Sequence, residues 1–190
     1  MKLIVGISGA TGSLYGIRLL EILKENKVET HLVISSTSKD IILQETPYSL
    51  NEIENLASYI YDYDDLGASI SSGSFKMDGM VIIPCSIKTL SGIAHSYNAN
   101  LLIRAADVTL KERRNLVLVV RETPLHQGHI ELMLQASKMG AILFPPVPAF
   151  YHHPKTIDDI VNHTIGKILD LFRIDHELFV RWGSPTLSKV

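Results

Sequence analysis

Residues 3–16 read Leu-Ile-Val-Gly-Ile-Ser-Gly-Ala-Thr-Gly-Ser-Leu-Tyr-Gly. Leu3-Ile4-Val5 is a continuous apolar run, the pattern of a strand covered on both faces. Gly6, Gly9 and Gly12 follow in a G-x-x-G-x-x-G turn. Leu14, Ile17, Leu20 and Leu23 then recur at helical spacing. Strand, glycine turn and helix in this order commit the chain to a βα organisation. The same order is an arrangement that binds anions, because the helix opens with unbonded backbone N–H groups.

The pattern repeats along the chain. Lys2–Ile7 is a buried-type strand and 14–24 a helix. Thr30–Ser35 is a second strand, followed by a short helix over 37–44. Ser49-Leu50-Asn51-Glu52 has capping-box spacing and opens another helix. Gly79–Cys85 is a third main strand, with helices over 87–96 and 99–111. Asn115–Val120 is a strand, 127–139 a helix and Ala141–Phe144 a short strand. Thr156-Ile157-Asp158-Asp159 caps a last helix running to about 172. Strands alternating with helices define an α/β fold: a doubly wound, Rossmann-like parallel sheet with helices on both faces. The 190 residues fit one domain over 1–190, with a loosely held tail expected at about 183–190.

Composition excludes some partners. The formal charge of -2 argues against nucleic acid or an anionic membrane, which need a basic face. No apolar run approaches the roughly 18–20 residues of a membrane span. Cys85 is the only cysteine, so neither an internal disulfide nor a Cys-rich metal site can form. With no secretory leader pattern ahead of the first strand, a cytoplasmic setting is expected.

Ligands of such sheets bind beyond the carboxyl ends of the strands. The segments to examine are therefore Ser8–Ser13, Ser35–Ser38, Ser86–Thr89 and Arg121–Pro124. Gly9 and Gly12 permit close approach of a ligand, and Ser8, Thr11 and Ser13 offer hydroxyls to phosphate oxygens. The turn also reads as a plain strand–helix connection. A dinucleotide site wants Asp or Glu at the end of the second strand, to hold ribose hydroxyls. Here that strand ends Val33-Ile34-Ser35-Ser36-Thr37. This disfavours a nicotinamide dinucleotide and favours a mononucleotide such as FMN.

Other motifs are weighed against plainer roles. Ser86, Lys88 and Thr89 suit a phosphate or a polar ring edge. Cys85 reads as packing rather than as a nucleophile. Arg121 suits a phosphate or flavin carbonyl, against the alternative of an ion pair with Glu122. Phe144, Phe150 and Tyr151 in FPPVPAFYHHP wall an apolar pocket or stiffen a connection. His152, His153, His126 and His129 read as surface histidines, and LKERR at 110–114 as a solvated helix end. Asp62, Asp64 and Asp65 do not form the DDxxD pattern of magnesium-dependent prenyl enzymes, so no metal is expected.

Taken together, several motifs resemble those of one family. They are GISGATG with Tyr15-Gly16 and Arg18-Leu19-Leu20, ASISSGSF, PCSIKTLSGIAHSY, LLIRAADV, LKERR, RETPLH and PPVPAFYH. The family is that of the UbiX/Pad flavin prenyltransferases, and the resemblance runs from Met1 to about Trp182. The flavin-dependent cysteine decarboxylases share the fold, but their catalytic histidine and Pro-x-Met-Asn-x-x-Met segment are not found here.

The resemblance implies joining a dimethylallyl group from dimethylallyl monophosphate to N5 and C6 of reduced FMN. The product, prenylated FMN, serves a UbiD-type decarboxylase, and family members assemble as homododecamers without a metal. By position, Gly9, Ala10, Thr11, Ser35, Ser86, Ile87, Lys88, Thr89 and Arg121 fall on flavin-binding sites. Tyr151, Lys167 and Arg104 fall on substrate-binding sites. Glu45, Lys111, Glu122 and Trp182 fall on catalytic ones. Thr11 is often Ser and Lys167 often Arg in relatives; hydroxyl and charge are kept, but the guanidinium fork is not. Two other functions fit the same residues: an FMN-dependent decarboxylase acting directly on aromatic acids, and a non-catalytic flavin carrier.

Overall fold

The computed structural model describes residues 1–183, and the tail expected at about 183–190 lies, from 184 onward, outside the described residues. The chain divides into two compact units, Met1–Pro145 and Pro146 onward. In the first, β1 (Lys2–Ile7), α1 (Ser13–Glu25), β2 (Glu29–Ile34), α2 (Ser36–Glu45), α3 (Leu50–Glu54) and β3 (Tyr59–Tyr61) come in order. A 3-10 turn at Ser69–Ser71 leads to β4 (Gly79–Cys85), α4 (Ile87–Ala94), α5 (Leu101–Lys111), β5 (Asn115–Val120), α6 (Gln127–Lys138) and β6 (Ile142–Leu143).

The strands form one six-stranded sheet in the order β3-β2-β1-β4-β5-β6, and every pair is parallel. This is the expected α/β doubly wound architecture. The order reverses between β1 and β4, so the carboxyl ends of these strands flank the crevice where such sheets take ligands. Every residue of β4 is buried, as its unbroken apolar run requires. Pro84 interrupts the β4–β5 register between Ile82 and Cys85, an irregularity that tolerates a residue without an N–H.

Gly16 lets α1 lie against β4: a Cβ there would stand 2.5 Å from the Ile83 carbonyl oxygen. The main core joins Met80, Ile82 and Cys85 of β4 to Leu90, Ile93, Leu102, Ala105 and Ala106 of α4 and α5. Cys85 is wholly enclosed, and burial pushes its thiol well above the usual range. It is core packing, as the sequence suggested.

The second unit holds α7 (Ile157–Leu171), opened by a capping box in which Thr156 and Asp159 satisfy one another's backbone N–H groups. No helix among the described residues is long and apolar enough to cross a membrane.

Candidate functional site

The carboxyl ends of β1, β2, β4 and β5 carry the predicted segments side by side. Ser8, directly after β1, is fully buried. Its Oγ donates to the Pro84 carbonyl at 3.0 Å and accepts the Ser86 N–H at 2.8 Å. The Ser8 hydroxyl is therefore spent in tying the ends of β1 and β4 together, and is not the ligand contact its place in the motif suggests. Gly12 then adopts φ 98°, a left-handed conformation, and opens α1 with no side-chain cap of its own.

The missing cap comes from afar. Glu45, the last residue of α2, accepts the Gly12 N–H at 2.9 Å and the Ser13 N–H at 3.3 Å, both through Oε2. A carboxylate thus closes part of the α1 N-terminus, where the positive end of the helix favours negative charge. Those N–H groups are unavailable to a ligand, but Glu45 is fixed beside the Gly9–Gly12 turn. Sequence gave no signal for this contact, since the partners stand 33 positions apart.

Ser35 and Ser86 are N-caps. Ser35 Oγ accepts the Ser38 N–H at 3.2 Å and Ser86 Oγ accepts the Thr89 N–H at 3.3 Å. Ser86 Oγ also donates to Thr89 Oγ1 at 3.1 Å. The N-termini of α1, α2 and α4 therefore meet at one rim. No hydrogen bond from the Ile87 or Lys88 N–H is seen among the described residues, and the Lys88 side chain is exposed. Ser13 Oγ and Ser38 Oγ are buried there without a partner among the described residues. Gly9 faces Thr37 so closely that a Cβ would lie 3.0 Å from the Thr37 Cβ. Ala10 closes the turn by donating to the Ser8 carbonyl at 2.7 Å, and Thr11 is exposed. The rim is rich in donors and fits an anion.

Arg121 follows β5, and its backbone N–H bonds the Cys85 carbonyl at 3.1 Å. Its exposed guanidinium makes no ion pair or hydrogen bond among the described residues. The alternative of an ion pair with Glu122 does not form; Glu122 Oε1 accepts the Thr123 N–H at 2.9 Å instead.

Lys111 and Arg104 lie elsewhere. Lys111 ends α5, just ahead of β5, and so sits at the amino edge of the sheet. The length of β5, about 20 Å at the usual rise per residue, separates it from the Arg121 rim. It pairs with Glu112, whose carboxyl it holds below the usual range. Arg104 Nε donates to the Ser71 carbonyl at 3.1 Å, and a terminal nitrogen meets Asp107 at 3.2 Å. Arg114 donates to the carbonyls of Phe75 and Gly73 at 3.1 and 3.0 Å. The basic cluster read as a solvated helix end is thus partly a clamp on the 71–75 loop.

The second unit carries the remaining candidates. Tyr151 Oη lies 2.9 Å from His163 Nε2, and the Tyr151 ring meets Trp182 edge-on at 5.5 Å. Lys167 Nζ stands 3.8 Å from Asp170, which also takes a bidentate pair from Arg181 at 2.8 and 2.9 Å. His152, expected at the surface, instead stacks on His163 at 4.8 Å with its ring nitrogens buried. His126 is an N-cap of α6 through Nδ1. No group of His, Cys, Asp and Glu able to hold a metal is present among the described residues.

The fold and the rim define a flavoprotein domain, and the family model described as Flavoprotein matches residues 1–169. The chain is 59% identical over 182 residues to "Flavin prenyltransferase UbiX" of Thauera aromatica, covering 96% of this chain and 94% of that one. The crystal structure of AnUbiX (PadA1) in complex with FMN and dimethylallyl pyrophosphate superposes with TM-score 0.95 at 45% identity, covering 96% and 97%. A dodecameric FMN-dependent Ubix-like decarboxylase from Escherichia coli O157:H7 gives TM-score 0.94 at 52% identity, covering 97% and 100%. The chain belongs to the UbiX family of flavin prenyltransferases.

Proposed function

We propose that this protein transfers a dimethylallyl group from dimethylallyl monophosphate to N5 and C6 of reduced FMN, making prenylated FMN for a UbiD-type decarboxylase in the cytoplasm. The observation that carries the reading is the rim itself. Helix N-termini, unpartnered hydroxyls and the Arg121 cation surround a glycine turn, and one carboxylate, Glu45, is locked beside it. The residues fit the flavin. The buried Ser13 and Ser38 hydroxyls and the Ile87 and Lys88 N–H groups, without partners among the described residues, suit a phosphate.

Gly9, Ala10, Thr11, Ser35, Ser86, Ile87, Lys88, Thr89 and Arg121 would hold FMN, which when reduced supplies an electron-rich ring edge. The side chains supply the rest. Breaking an allylic C–O bond builds negative charge on the departing phosphate, and Tyr151, Lys167 and Lys111 stabilise it by fixed donors and charge. The Trp182 face attracts the positive charge developing on the prenyl carbon. Ring closure must release a proton. Glu45 suits its removal because Oε2 is engaged by the helix while Oε1 is left to accept. Glu122 is a second carboxylate on the same rim.

Lys111, on the opposite rim of its own sheet, can serve only from another copy of the chain. Leu125, Ile130 and Leu134 around α6 are 43–56% exposed, an apolar stripe suited to burial between copies. Both facts support a homo-oligomer, with a homododecamer as in the E. coli relative. The match of one family model across both compact units supports reading 1–190 as one flavoprotein domain.

A second reading, direct decarboxylation of aromatic acids, is favoured by that relative's description as a decarboxylase. The two separate in one assay. Purified protein given reduced FMN and dimethylallyl monophosphate anaerobically should release inorganic phosphate, and should release no carbon dioxide from an aromatic acrylic acid. Carbon dioxide without phosphate release would establish the second reading.

A further inference from the structure

Tyr151 has one phenolic proton, and His163 competes for it. His163 Nε2 lies 2.9 Å from Tyr151 Oη. If the imidazole accepts, the proton is spent and Tyr151 presents only lone pairs, which repel a phosphate oxygen. If Nε2 carries the hydrogen and donates, the phenol oxygen is satisfied from behind and its own O–H points outward as a donor.

The His163 ring is not free to turn away. His152 stacks on it at 4.8 Å and 7° between planes, and Phe179 packs on it at 4.6 Å. Tyr151 is in turn braced edge-on by Trp182 at 5.5 Å. Burial, then the neighbouring His152 and Lys167, hold the His163 imidazole below its ordinary pKa, which favours the neutral ring with its single hydrogen.

We infer that His163 is a positioning residue for the prenyl-phosphate site: by donating from Nε2 to Tyr151 Oη, it turns the Tyr151 hydroxyl into a phosphate donor. This rests on the reading of Tyr151 as a substrate-binding residue. It adds to that reading a group that acts through Tyr151.

The experiment compares KM for dimethylallyl monophosphate, kcat, FMN affinity and melting temperature. The variants are His163→Leu, His163→Gln, His163→Asn, Tyr151→Phe and the pair His163→Leu/Tyr151→Phe. A Gln amide reaches the position of Nε2, whereas an Asn amide stops near that of Nδ1. His163→Leu and His163→Asn should raise KM about five- to tenfold, the worth of one neutral hydrogen bond, with kcat and FMN affinity changed far less. His163→Gln should stay within about twofold of wild type. The double variant should be no worse than Tyr151→Phe alone, because the paired residues act as one unit.

If Tyr151→Phe raises KM while His163→Leu and His163→Asn do not, the inference is overturned and the substrate site stands. The same holds if the His163 penalty adds in full to that of Tyr151→Phe. Equal losses in Gln and Asn variants, tracking melting temperature, would make His163 merely structural and overturn the inference. An unchanged KM in Tyr151→Phe would overturn the substrate-site reading, and the inference with it.

Discussion

In the proposed reaction Glu45 carries two tasks on one carboxylate. Oε2 caps α1 through the Gly12 and Ser13 N–H groups, and Oε1 takes the proton released on ring closure. Substitution can divide the tasks. Glu45→Gln keeps an oxygen for the cap, so its melting temperature and FMN affinity should match wild type while turnover falls on the order of 100-fold. Glu45→Ala should lose both, with about 1 kcal/mol of stability gone in urea unfolding. Equal turnover in Glu45→Gln and wild type would remove Glu45 from the chemistry. His31 offers a second test at this scale. It is buried against Tyr59 and Phe75, 2.8 Å from Tyr61 Oη and 3.0 Å from Glu29. Burial outweighs Glu29 and holds its pKa below the ordinary 6.5. The unfolded chain therefore binds the proton more readily than the native one, and stability is lost as pH falls from 6.5 toward the folded pKa. His163 shifts in the same direction. Urea midpoints measured from pH 8 to 5 should decline below 6.5, and His31→Gln should decline less steeply.

The helices and strands differ in how much their own sequence reveals. Lys2–Ile7, Gly79–Cys85 and Asn115–Val120 are strands at the bounds read from their apolar runs. Tyr59–Tyr61 escaped that reading. It is a short edge strand, half exposed, with neither alternation nor a buried run to mark it. The helix expected from 99 begins at Leu101, because Asn100 turns its side chain onto the Ile103 N–H and acts as N-cap. The Ser49–Glu52 capping box and the Thr156 cap were legible because their partners are three residues apart, though the reciprocal Asp159 contact was not read. The α1 cap by Glu45, the Ser8 bridge to Pro84 and the Arg114 clamp on Gly73 were not, because sequence spacing says nothing about partners from different elements. Gly16 shows what a local reading can miss energetically. Gly16→Ala would drive a methyl to 2.5 Å from the Ile83 carbonyl, which is backbone of a central strand and cannot swing aside. Its cost should be about 2–3 kcal/mol in urea unfolding; a value near zero would mean that α1 lifts freely from β4.

At the scale of the whole molecule, the glycine rim, Ser35, Glu45, Ser86–Thr89 and Arg121 gather at one edge of the sheet, while Lys111 stands at the other. Sequence reasoning put the glycine turn, Ser35, Ser86–Thr89 and Arg121 at the carboxyl ends of parallel strands, but it could not place Glu45 beside them or Lys111 away from them, since those positions follow from how the helices pack. If copies of the chain complete one another's sites, Lys111→Ala and Arg121→Ala chains should each be nearly inactive alone and regain part of wild-type turnover when co-assembled. No recovery in a mixed assembly of native size would show that Lys111 is not supplied by a neighbour. In the proposed reaction, prenylated FMN leaves the site. Protein, reduced FMN and dimethylallyl monophosphate, incubated without oxygen, should yield an extracted flavin heavier than FMN by one dimethylallyl unit, and heat-killed protein should yield none. Recovery of FMN at its starting mass, with the substrate and its pyrophosphate analogue both left unconsumed, would contradict it.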